Sequence, residues 1–178
     1  MTKIFYDCEF IEDGKTIELI SIGMVSEDGR EYYAVNRDMP ISKINAHSWL
    51  MDNVWLHLPL DNSGFLDVEH EDVKPAQRIA DEVRDFIQAT HDVELWAWYG
   101  AYDHVALCQL WGRMIDLPAG VPMWTNDLQQ EVARLDYPKL PKQAKDEHNA
   151  LADARYNRLL NDFLIAERQR QQSGEASR

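Results

Sequence analysis

Residues 3–10 read Lys-Ile-Phe-Tyr-Asp-Cys-Glu-Phe, a β-favouring apolar run with two carboxylates set two positions apart. A strand alternates its side chains between faces, so Asp7 and Glu9 project from the same one. Two neighbouring carboxylates cannot be enclosed in an apolar interior unless a cation pairs with them. Either this strand has a polar face in water, or it delivers the pair to a site for a hard divalent ion, which prefers oxygen ligands. The dipeptide alone fits the first reading at least as well, because so short a motif recurs by chance.

The chain around that strand reads as α/β. Thr16 to Ser26 is a second strand, Asp28-Gly29 a turn and Glu31 to Val35 a third strand, which makes an opening antiparallel meander. Ser42 to Val54 has a helical pattern, as does Pro75 to Thr90, with Ile79, Val83, Phe86 and Ile87 on one side. Between them lies an irregular stretch, Trp55 to Val73. Its Asp61-Asn62-Ser63-Gly64 turn lacks the spacing and terminal Glu of an EF-hand loop. Val93 to Tyr99 is a short buried strand, and a helix follows from Ala101 to Trp111, closed by Gly112. Pro118 and Pro122 precede a helix near Thr125 to Leu135, and Pro138 and Pro141 break the chain again. The last helix is expected from His148 to Arg168, with Leu151, Ala154, Leu159, Phe163 and Leu164 inward. Strands first and helices interleaved afterwards predict one domain over residues 1–168, followed by a frayed polar tail at 169–178.

Composition narrows the function classes. With 178 residues and 45% hydrophobic content the chain can enclose a sizeable core. No apolar run approaches the roughly 20 residues that span a bilayer. A carboxylate at position 7 leaves no room for the apolar stretch of a signal peptide, so the expected location is the cytoplasm. Cys8 and Cys108 are too few for a disulfide framework or a four-thiolate zinc site. Cys8 alternates with the two carboxylates and so points into the core, while His104 and Cys108 find no second pair to complete a zinc site. The net charge of −13 disfavours a long nucleic-acid groove but permits a small pocket in which bound cations supply the positive charge.

Three further residues join the argument. Asp103 falls in the first turn after the buried strand, where it suits the helix dipole or a metal site equally. His148 and Asp153 open the last helix, His148 as a loop imidazole that can reach sideways and Asp153 among small residues that invite close packing. Each is unremarkable alone. In order, D-x-E on the first strand, Y-D after a buried strand and H-x4-D before the final helix resemble the three motifs of the DEDDh 3′-5′ exonucleases, the family of RNase T and oligoribonuclease. The stretches FYDCEFIEDGKTIELISIG, WAWYGAYDHVALCQLWG and HNALADAR look most like its RNase AS branch of polyadenylate-directed exoribonucleases. The likeness covers nearly the whole chain and thins from Arg37 to Val73. Tyr99 stands where many DEDDh enzymes carry Asn, so that residue's substrate contact does not transfer.

The resemblance implies an RNase H-like fold, a mixed central sheet flanked by helices. It implies two divalent ions, Mg2+ or Mn2+, held by Asp7, Glu9, Asp103 and Asp153, with Asp7 shared between them and His148 as general base. An ordinary imidazole titrates near about 6.5, which suits that task. The implied substrate is the 3′ end of single-stranded RNA, adenosine-rich, cut to nucleoside 5′-monophosphates by a homodimer. Phe10 and Ile11 are expected beside the terminal base, with Tyr99 and Tyr102 as further stacking candidates; Trp96 and Trp98 belong to the core. Two alternatives stand beside this one: a DNA-trimming exonuclease on the same fold, and a non-catalytic nucleic-acid-binding module.

Overall fold

The computed structural model describes residues 1–143 and 146–175. Its centre is the opening meander: β1 (Thr2–Glu12), β2 (Ile17–Ser26) and β3 (Glu31–Asn36), paired antiparallel in sequence. Two short helices follow, α1 (Ile41–Asn45) and α2 (Ser48–Asn53), where one helix from Ser42 to Val54 was expected. The break falls at His47, whose imidazole Nδ1 accepts from the Leu50 amide and so caps a new start. A two-residue strand, β4 (Val73–Lys74), then joins β3 in parallel ahead of α3 (Ala76–Gln88). Next come β5 (Val93–Ala97) and α4 (Ala101–Gln109), then β6 (Asn126–Asp127), α5 (Leu128–Arg134) and α6 (Ala150–Glu175). The strands form one mixed sheet in the order β4-β3-β2-β1-β5-β6, with β5 parallel to β1. This is the α/β arrangement that the RNase H-like expectation requires.

Each face of the sheet has its own core. Tyr6, Cys8, Ile22, Met24, Leu95 and Ala97 pack against Ile79, Val83 and Ile87 of α3 and Leu107 of α4. On the other face, Trp96 and Trp98 meet α5 and α6 through Leu128, Val132, Leu160 and Leu164, while Ile11, Ile20 and Val35 are covered by Ile44, Leu50 and Val54. Leu19 and Ile22 share a face although three apart, because β2 carries an extra residue at Ile20 where the ladder slips between Glu9 and Phe10. That bulge twists the sheet at the two carboxylates.

Two expectations about α6 change. Its inward stripe is Ala150, Ala154, Asn157, Leu160 and Leu164, and Leu159 is half-exposed. The stripe follows the 3–4 spacing of small and polar residues seated on the sheet, which leucine content alone does not reveal. The helix also continues past Arg168 to Glu175, into the span expected to be a polar tail; residues 176–178 lie outside the described ones. The Asp61 turn has the structural role expected of it: its carboxylate accepts from the Ser63 and Phe65 amides, and Gly64 takes φ +80°.

Candidate active site

The site forms because α6 stands directly on β2. Ser21 and Gly23 are the cross-strand partners of Glu9 and Asp7, and both are small. A Cβ at Gly23 would lie closer to the Ala150 carbonyl and Leu151 Cα than real Cβ atoms approach anything. Glycine therefore lets the first turn of α6 touch the sheet beside Asp7, which brings Asp153 over the β1 carboxylates. The helix is pinned there by the buried Asn157 amide, which donates to the Tyr6 carbonyl at 3.1 Å, and by Lys3, whose ammonium donates to Asn161 at 2.9 Å.

Asp103 arrives from the opposite side. The parallel pairing of β1 with β5 ends at Phe5 and Trp96, and beyond that point the Cys8 amide has no strand partner on that edge. The Asp103 carboxylate accepts this amide at 2.8 Å, fastening the first turn of α4 to β1 between Asp7 and Glu9. The cleft so formed measures about 440 Å³ and lies at the carboxyl ends of the parallel pair β1 and β5. Asp7, Glu9, Asp103, His148 and Asp153 all line it.

His148 reaches the cleft from a loop held in an unusual backbone. Its φ is +68°, and Tyr99, on the wall of the cleft, is also left-handed. Such conformations persist only where the surroundings over-determine them, and they cluster at functional sites. The His148 amide donates to Asp153 at 2.9 Å, and the imidazole meets the Trp49 ring edge-on, with centroids 4.9 Å apart. One potential ligand atom from each of Glu9, His148 and Asp153 lies within 4.8 Å of the others. Of the expected substrate contacts, Phe10, Tyr99 and Tyr102 line the cleft, and Phe10 and Tyr102 stack 12° from parallel at 6.1 Å. Ile11 does not line it. It is buried with Ile20 and Val35, because the alternation that exposes Glu9 at the cleft carries Ile11 under the α1–α2 segment.

Burial and mutual repulsion raise the carboxyls of the cleft together. Burial first, and then Asp103, Glu9 and Asp153, push the Asp7 carboxyl well above its ordinary range. Glu9 is pushed up to about 8 by burial and by the neighbouring charges of Asp153 and Asp103. Asp103 rises to about 7 through burial, against the pull of the Cys8 amide, with Asp127 and Asp153 adding to the rise. Asp153 is raised by burial, while hydrogen bonds from Gln143 and the His148 amide hold it down. Gln143, Asp127, Asn157 and Trp49 escaped the reading of the sequence. A glycine inside an apolar central strand was the available signal for Gly23, whereas the other four show themselves only through contacts.

The Rv2179c-like family, described as the 3′-5′ exoribonuclease Rv2179c-like domain, matches residues 2–164. The chain belongs to this family. It is also 48% identical, over 155 residues, to a protein of Mycobacterium tuberculosis strain H37Rv named 3′-5′ exoribonuclease Rv2179c, with 86% of this chain and 87% of that relative covered. The same figures hold for the protein of strain CDC 1551 named 3′-5′ exoribonuclease MT2234.1. The matched span contains Asp7, Glu9, Asp103, His148 and Asp153, which line the cleft.

Proposed function

We propose that the chain removes nucleotides one at a time from the 3′ end of single-stranded RNA, releasing nucleoside 5′-monophosphates. The observation that carries this reading is the convergence of four carboxyls and an imidazole in one cleft, with the carboxyls raised by burial and mutual repulsion. Assembling like charges costs stability unless a cation relieves it, and the donors are the hard oxygens that Mg2+ or Mn2+ prefers. Asp7, Glu9, Asp103 and Asp153 would hold two such ions, which would neutralise charge on the phosphate and acidify the attacking water. A non-catalytic module would gain nothing from this clustering.

The chain's own groups supply the rest. His148 accepts the water's proton, and its orientation is set by the Trp49 ring edge and by the hydrogen bond of its amide to Asp153. Its nitrogen is also close enough to Glu9 and Asp153 to serve as a ligand, so its role is decided by whether metal binding survives its removal. The stacked pair Phe10–Tyr102 and the exposed Tyr99 offer ring faces to unstacked bases, which single strands present and duplexes withhold. Glu9 would be the acceptor for a 2′-hydroxyl, the group that separates RNA from DNA. Adenosine preference and a homodimer belong to the same reading and rest on the RNase AS likeness.

End-labelled homopolymers of each base, as RNA and as DNA, test the proposal with Mg2+ and then Mn2+. We expect single-nucleotide steps from the 3′ end, RNA ahead of DNA and poly(A) ahead of the other RNAs. Equal rates on RNA and DNA would favour the DNA-trimming alternative, and equal rates across RNA bases would remove the poly(A) claim alone.

A further inference from the structure

Gln143, Glu147 and His148, which precede α6, line one side of the cleft, and the described residues just before Gln143 carry cations. Leu140 packs on the apolar cluster of α5 and α6, and the Pro141 carbonyl accepts from the Tyr156 hydroxyl at 2.8 Å. The Gln143 amide donates to the Asp153 carboxylate. These anchors hold residues 140–143 in place; Lys142 lies between two of them, Lys139 just before the first, and both are exposed. Lys142 is bracketed by two fastenings to cleft residues, Pro141 on Tyr156 and Gln143 on Asp153.

These two lysines, like Lys15 and Arg37, differ from the ion-paired cations of the chain. Lys43 is neutralised by Glu18, Lys74 by Glu82, Arg155 by Glu31 and Arg168 by Glu131. Lys139 and Lys142 form no ion pair among the described residues, although Asp136, Asp146 and Glu147 lie within a few positions along the chain. In a protein of net charge −13, free ammonium groups beside the carboxylate cluster mark the part of the rim that least repels a polyanion.

We propose that Lys139 and Lys142 bind backbone phosphates of the RNA strand upstream of the nucleotide being removed. The proposal rests on the exoribonuclease reading of the cleft. With the terminal phosphodiester at the carboxylates, the strand has to leave over a rim, and its next phosphates need cations there. Three residues of extended chain span at most about 11 Å, so the two ammonium groups can serve neighbouring phosphates. Lysine meets phosphate as a point charge, so the pair contributes affinity and register with no choice among bases. Because the segment is already anchored, little ordering accompanies binding. Two contacts also make a short footprint, in keeping with the acidic surface.

The experiment compares kcat/KM for a ten-nucleotide and a two-nucleotide adenosine RNA, with Mg2+, between 50 and 200 mM salt. In the wild type the ten-mer should be favoured, and the advantage should shrink as salt rises. The double variant Lys139→Gln/Lys142→Gln should lower the ten-mer to dinucleotide ratio on the order of tenfold at low salt. Its log–log salt slope for the ten-mer should be shallower by about 0.7 per lysine, about 1.4 for the pair. Arg84→Gln removes a cation from α3, on the sheet face opposite α6, and should keep the wild-type ratio and slope. A double variant with the wild-type ratio and slope would overturn the lysine assignment alone. A wild-type chain that hydrolyses neither RNA would overturn the exoribonuclease reading and the assignment with it.

Discussion

Removing divalent ions should leave a protein that grows less stable as the pH rises through neutrality, and Glu9→Gln should make that trend shallower. In the fold the Glu9 carboxyl is raised from its ordinary 4.5 to about 8. Below 4.5 both folded and unfolded chains keep the proton, so the group is neutral to stability. Between 4.5 and 8 the unfolded chain releases it and the folded one retains it, so stability falls with pH by about 1.4 kcal/mol per unit. His104 acts in the opposite sense lower down, since burial depresses its imidazole and disfavours the fold below the ordinary 6.5. The clean window is therefore pH 6.5 to 8, over which Glu9 alone costs about 2 kcal/mol, or about 4–8 °C in a protein of this size. Asp7 and Asp103, raised in the same cleft, titrate with it as a set and act in the same direction. The measurement is a series of thermal melts in chelator, in buffers from pH 6 to 8.5, for the wild type and Glu9→Gln. Saturating Mg2+ or Mn2+ should flatten the wild-type curve and raise it. A chelated wild type whose melting temperature holds steady or rises across the window, or a Glu9→Gln variant with the same slope, would refute the account of the cleft as a cation site.

Other substitutions test individual roles. Asp7→Asn should abolish turnover and weaken divalent-ion binding by calorimetry, while the chelated protein melts no lower than wild type, because one of several repelling carboxylates is gone. His148→Ala should lose on the order of a hundredfold in rate and still bind metal. The pH–rate profiles of the wild type and the variant should differ in shape, and identical profiles would exclude His148 as the base. Gly23→Ala should cost about 1–3 kcal/mol of stability as α6 is pushed off β2, and should lower the rate by displacing Asp153. An unchanged rate and melting temperature would show that α6 does not depend on that contact.

What could be read from the chain alone was local chemistry in a specific order. Two carboxylates on one strand face, Asp103 at a helix start and His148 and Asp153 about the start of the last helix are properties of short segments, and period and spacing reveal them. The α/β class follows from the same periodicities. The two-residue strands β4 and β6 carry no period of their own and exist because β3 and β5 offer them an edge. The fate of Ile11 and the exposure of Leu159 depended on what covers each face, which residues far away in the chain decide. Gly23 is the sharpest case. As a sequence symbol it is a weak spot in an apolar strand, and only the arrival of α6, some 130 residues later, makes its missing side chain the reason that Asp153 stands over Asp7 and Glu9. Segments carry the donors, but their convergence is a matter of distances between elements, and packing alone sets those distances.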